Sequence, residues 1–119
     1  MSKVVPVLIL AAAGLIIFFG FAGWPGQTEL TAFAACLTDR EVAMYGANWC
    51  SHCQNQKNLF GAAFKKINYV ECTSRRAECL AKNIQGYPTW IFADGLRLDG
   101  EQSLETLAEK SGCVLPPKN

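Results

Sequence analysis

The chain has 119 residues, half of them apolar, and a net charge of +1, which leaves room for one small domain. Its Lys and Arg residues are scattered and it has no acidic run, so it lacks the electrostatic footprint of a nucleic-acid or polyanion partner. Six cysteines in so short a chain mean redox work, metal binding or structural bridges, and the compartment decides among them.

Residues 4–23 read VVPVLILAAAGLIIFFGFAG, twenty positions without a charge, enough for a helix to span a bilayer. Lys3 and the amino terminus precede this run, Trp24 follows as an interfacial anchor, and the first later charge is Glu29, so the expected orientation puts the N-terminus in the cytoplasm and the domain outside. A cleaved signal peptide would have a shorter apolar region and a better small-x-small site than Gly20-Phe21-Ala22. A lipoprotein would carry its cysteine directly after the apolar run, whereas Cys36 lies beyond Gly26-Gln27-Thr28-Glu29. All three readings export the domain to an oxidising compartment. The expected layout is a single-pass inner-membrane anchor over 1–24, a short linker over 25–29, the folded domain over 30–115 on the periplasmic, lumenal or extracellular side, and a tail over 116–119.

Leu30, Phe33, Ala34 and Leu37 recur at helical spacing behind a Thr28 cap and predict a helix to about Thr38. Residues 41–47 (EVAMYGA) read as a buried strand running into Cys50. After Ser51 the pattern turns helical, with Leu59, Phe60, Ala63 and Phe64 on one face and Lys65-Lys66 at the C-terminal end. Residues 67–71 predict a second strand, 77–83 a short helix and 89–93 a third strand. Asp94-Gly95 then reads as a two-residue hairpin turn leading to a partner strand over 96–98. A last helix starts near Ser103, carries Leu104, Leu107 and Ala108 on one face and stops at Gly112. A strand-helix-strand unit pairs in parallel and a tight hairpin antiparallel, so the expected class is α/β, with a mixed central sheet and helices on both faces.

Cys50 and Cys53 fall one turn apart at a helix start, close enough to form a disulfide and to be opened at one sulfur. Cys50 meets the unpaired N–H groups and positive dipole end that favour a thiolate, which makes it the expected nucleophile; Cys53, a turn further in, is the expected resolving thiol. His52, the only histidine, lies between them, where a partly cationic imidazole would favour the reduced form and make the disulfide a stronger oxidant. The plainer alternative is an exposed residue at a helix N-terminus. Haem attachment needs a histidine at position 54, which is Gln. A zinc site needs a second close pair, and Cys72 and Cys79 have six residues between them, so no metal is expected. Pro88, opening a strand about 35 residues after the pair, would if cis aim the Tyr87 backbone at the sulfurs for pairing with an extended substrate; an ordinary trans proline at a strand start is the alternative.

Together, Ala47-Asn48-Trp49-Cys50-Ser51-His52-Cys53, Tyr69-Val70-Glu71-Cys72, Cys79, Gly86-Tyr87-Pro88-Thr89-Trp90 and Ser103-Leu104-Glu105-Thr106-Leu107 resemble the thioredoxin-like domain that bacteria, cyanobacteria and plants fuse to a vitamin K epoxide reductase-type membrane protein. The resemblance covers most of residues 30–112. It implies a thioredoxin-like fold and a Cys50–Cys53 redox disulfide that needs no other cofactor. It further implies transfer of that disulfide to exported cysteine-containing proteins, and reoxidation by a separate quinone-coupled membrane partner of vitamin K epoxide reductase type. It also implies a substrate-binding surface at Trp49, Tyr87 and Pro88, a cis Pro88, and a second disulfide between Cys72 and Cys79. That pair would close a small loop in a domain with little core, so a structural staple is the default and a redox relay the alternative. Thioredoxins proper carry a buried Asp six residues before the nucleophile; here that position is Met44, which argues against cytosolic reductase chemistry. Cys36 and Cys113 fit no motif, and helices on opposite faces of the sheet are expected to keep them apart, each free or bonded to a partner.

Overall fold

A computed structural model describes residues 25–118. The expected membrane segment lies outside the described residues, and among those described no helix is long and apolar enough to cross a membrane. In chain order the elements are α1 (Pro25–Asp39), β1 (Ala43–Gly46), α2 (Ser51–Phe60), a 3-10 segment (Gly61–Lys66), β2 (Asn68–Glu71), α3 (Arg76–Ala81), β3 (Thr89–Ile91), β4 (Arg97–Asp99) and α4 (Leu104–Ser111). The sheet runs β2-β1-β3-β4, with β1 parallel to β2, antiparallel to β3, and β3 antiparallel to β4. The expected mixed sheet is therefore present, with the parallel pair linked through α2.

Strand alternation sorts the core into two clusters. Met44 faces Trp90 across β1 and β3, and their side of the sheet packs on Phe33 and Leu37 of α1, Phe60 of α2 and Leu107 of α4. Aromatic contacts tie these layers, with ring centroids 6.2 Å apart for both Phe33–Phe60 and Phe60–Trp90. Ala43, Tyr45 and Val70 point the other way, onto Cys72, Cys79 and Ile84 around α3. The final helix matches its sequence signals: the Ser103 hydroxyl accepts from the Thr106 N–H at 3.0 Å, and Gly112 ends the helix at φ 75°.

Four expectations need correction. Residues 25–29 are not a linker but the first turns of α1, where a proline costs no helical hydrogen bond. The helix after Cys50 does not continue through Phe64. Gly61 at φ 56° breaks it and the 3-10 segment resumes in a new phase, leaving Leu59 exposed while Phe60 and Ala63 stay buried. The hairpin loop has three residues, not two: Phe92 N–H bonds Leu96 O, and Gly95, at φ 88°, bonds back to Phe92 O, both at 2.9 Å, which moves β4 one residue on.

The fourth concerns Cys36 and Cys113, which form a disulfide with a Cα–Cα distance of 6.0 Å. Both belong to the Met44–Trp90 cluster, because α1 and α4 pack on the same side of the sheet rather than on opposite sides. The Arg40 guanidinium donates to Ser111 O at 2.9 Å, which fixes the end of α4 against α1 beside the bridge.

Candidate active site

β1 delivers the chain to a tight turn in which Cys50 N–H bonds Ala47 O at 3.1 Å, and Cys50, with extended backbone, becomes the N-cap of α2. Its Sγ accepts a hydrogen bond from the Cys53 N–H at 3.2 Å. This is the place where a helix offers unpaired donors and positive potential to a negatively charged group. On its other side the Cys50 thiol donates to the Tyr87 carbonyl at 3.7 Å, and the Tyr87–Pro88 peptide is cis. Both Cys50 and Cys53 are thiols. Cys50 opens onto a cleft of about 430 Å³ bordered by Trp49, Ser51, His52, Gly86 and Tyr87. Trp49, 71% exposed, stands edge-on to Tyr87 at 5.7 Å between ring centroids.

Cys53 has no such outlet. It is fully buried, and burial, reinforced by its hydrogen bond with Cys50, pushes its thiol up to about 12. A carbon placed on Gly46 would lie 3.0 Å from Cys53 Sγ, 2.9 Å from Tyr69 Cε2 and 3.1 Å from Tyr69 Oη, so only glycine leaves these groups side by side. Tyr69, opposite Met44 in the parallel β1–β2 register, donates its hydroxyl to Glu71 Oε2 at 2.6 Å. Burial and the Glu71 carboxylate hold the Tyr69 phenol well above its ordinary range. Burial by itself would raise Glu71, but hydrogen bonds from Tyr69, from Thr73 and from the Asn48 N–H outweigh it and keep the carboxyl below its usual value. The Lys57 ammonium lies 4.2 Å from the centre of the Tyr69 ring.

Of the residues singled out in sequence, the structure gathers Trp49, Cys50, His52 and Tyr87 around one cleft, with Cys53 behind and Pro88 leading into β3. His52 is exposed and its Nδ1 lies 2.7 Å from Glu101 Oε1, which also accepts from Asn55 Nδ2 at 3.0 Å; these bonds hold the Glu101 carboxyl below its usual value. Cys72 and Cys79 are disulfide-bonded, and Tyr87 separates this bridge from the Cys50 cleft. Among the described residues no group of three or more His, Cys, Asp or Glu side chains is arranged to hold a metal.

Sequence reasoning gave no role to Gly46, Tyr69, Glu71, Gln56 or Glu101. Gly46 carried a signal, being a glycine inside a strand pattern, which marks close approach. Gln56 also carried one, since it follows Cys53 by three positions on the same helix face. Its buried amide oxygen accepts from Trp90 Nε1 at 3.1 Å and from Gln102 N–H at 2.7 Å, joining α2 to β3 and to the loop before α4. Glu101 carried no signal, because only the fold brings that loop to His52.

A cysteine at a helix N-cap that faces a cleft, with a second thiol buried one turn on and a mixed sheet beneath, defines the class: a dithiol domain of the thioredoxin type. The chain belongs to the thioredoxin family, whose model matches residues 27–110. It is similar to Thiol-disulfide oxidoreductase LTO1 of Arabidopsis thaliana, at 43% identity over 74% of this chain and 26% of that protein. It is also similar to Thioredoxin domain-containing protein 5 homolog of Drosophila melanogaster, at 32% identity over 67% of this chain and 22% of that protein. The chain thus spans about a quarter of the length of the curated relatives it matches.

Proposed function

We propose that this protein donates disulfides to exported cysteine-containing proteins from a membrane-anchored position. The observation that carries the reading is the asymmetry of the two sulfurs: Cys50 at the N-cap of α2 faces the cleft, and Cys53 is sealed behind it. In the oxidised form, a substrate thiolate attacks Cys50 Sγ and Cys53 leaves; a second substrate thiol then releases Cys50 and carries the new disulfide away. Trp49 and Tyr87 form the apolar rim on which the substrate rests, and the chain before Pro88 lies beside it. His52, held by Glu101 at the rim, adds positive charge near Cys50 when protonated and so favours the reduced pair.

The apolar run over 4–23 anchors the domain on the outer side of the membrane, where Cys36–Cys113 and Cys72–Cys79 persist as staples. A quinone-coupled membrane oxidoreductase of vitamin K epoxide reductase type reoxidises the pair; that partner rests on the resemblance of the motifs, and the redox class on the similarity to a named thiol-disulfide oxidoreductase.

Equilibrating the full chain with glutathione buffers and counting the free thiols at positions 50 and 53 tests the direction of transfer. A donor has a potential toward the oxidising end of the family, and a value near about −270 mV would assign it to reduction instead. A Cys53→Ala variant is expected to accumulate mixed disulfides through Cys50 with exported proteins. Failure of both thiols to exchange at all would overturn the enzyme reading.

A further inference from the structure

When Cys53 leaves the disulfide it must gain a proton, and when it attacks a mixed disulfide on Cys50 it must lose one. It is buried, and the cluster that surrounds it from α1, β1 and β3 is apolar, with Met44 on the sheet beneath it. Of the polar groups nearby, the Ala47 backbone hydrogen-bonds Cys53, the Gln56 amide is engaged by Trp90 and Gln102, and Tyr69 is the one that leads on to a carboxylate. Its hydroxyl and the Cys53 sulfur both border the space over Gly46 and lie within about 6 Å of each other, a gap that one water spans. From Tyr69 the path continues 2.6 Å to Glu71 Oε2, and Glu71 sits at the domain surface among Thr73 and the Asn48 N–H.

We infer that Tyr69 and Glu71 are the proton relay of the resolving thiol, carrying its proton between the buried Cys53 sulfur and solvent. The inference deepens the exchange reading above and rests on it. In the resolving direction, Cys53 Sγ attacks Cys50 Sγ of a mixed disulfide. The Cys50–Cys53 bond forms, the bond to the partner sulfur breaks, and the partner leaves as a thiolate with the electron pair. The Cys53 proton passes through the bridging water to Tyr69 Oη as the Tyr69 proton passes to Glu71, which then releases it to solvent. In the donating direction each step reverses, and the departing Cys53 thiolate takes its proton from the same path.

The groups facing the relay fit this role. From α2, Lys57 lies over the Tyr69 ring and its charge favours a transient anion at Tyr69 or Cys53. From the 3-10 segment, Phe64 packs edge-on against Tyr69 at 5.5 Å and adds no competing acceptor. From the loops, the Asn48 N–H and Thr73 keep Glu71 ionised at neutral pH and therefore able to accept.

The test separates the two cysteines' steps. The full chain in its reduced form is mixed with oxidised glutathione, quenched at intervals by alkylation, and the Cys50–glutathione adduct and the closed Cys50–Cys53 disulfide are followed by mass. In Glu71→Gln and Tyr69→Phe, adduct formation is expected within about twofold of the parent, while adduct resolution slows about 100-fold near neutral pH, the lower end for a positioned proton acceptor. The deficit shrinks as pH rises and hydroxide takes the proton, and Glu71→Asp recovers part of the rate. Thermal unfolding identifies any variant that has not folded; Glu71→Gln preserves the Tyr69 hydrogen bond, so it remains informative if Tyr69→Phe is lost. Parental resolution rates in a folded variant, or a deficit independent of pH, would overturn the relay. If the parent chain forms no adduct, it is the exchange reading that falls.

Discussion

Gly46 looks unremarkable in the sequence, yet its missing side chain is what lets the Cys53 sulfur and the Tyr69 ring meet. Gly46→Ala places a carbon about 3 Å from both, so Tyr69 must shift off Glu71; overpacking of this kind costs about 1–3 kcal/mol, and denaturant unfolding is expected to show a loss in that range. Cys53 makes a pH prediction. Its thiol is raised from 9.0 to about 12 in the fold, so folding keeps it protonated. The stability tied to that protonation is complete below pH 9 and is lost as pH climbs toward 12. Unfolding curves of the reduced protein across that window should fall more steeply than those of Cys53→Ala, and equal slopes would show that the thiol is not held protonated. Cys50 and Cys53 were legible from spacing alone. Tyr69 and Glu71 were not, because residues that alternate along β2 gain meaning only when β2 lies beside β1 in one particular register.

At the scale of elements, the two bridges differ in what they constrain. Cys72–Cys79 closes a separation of seven residues between the end of β2 and α3, whereas Cys36–Cys113 closes 77 and ties α1 to the segment after α4. On the chain-entropy account the long loop is worth about 4.5 kcal/mol and the short one about 2.3 kcal/mol. Replacing Cys36 and Cys113 by serine should therefore lower the unfolding free energy by roughly twice as much as replacing Cys72 and Cys79, as read by chemical denaturation. An equal or reversed order would mean that native packing, not loop closure, sets their worth. The ends of α4 were legible: Ser103 and Gly112 bound it as their chemistry dictates, because caps are local. The break at Gly61 and the three-residue hairpin loop were missed. At Gly61 the positive φ was not announced by the surrounding apolar pattern, and at Asp94-Gly95 the turn was announced but its length was not.

For the whole molecule, the sequence by itself determined the α/β class, the chain order of its elements and the dithiol at the start of a helix, since these follow from hydrophobic period, turn chemistry and spacing within a few residues. It also carried the long apolar run over 4–23, whose proposed anchoring role rests on length and charge alone. Only the tertiary structure decided that α1 and α4 share one side of the sheet, so that Cys36 meets Cys113, and that the Glu101 loop returns to His52. It also decided that Tyr69 stands where Met44 offers no polar group. Those contacts join residues 25 to 77 positions apart, and their pairing depends on how helices and strands stack once the core closes, which no local pattern encodes.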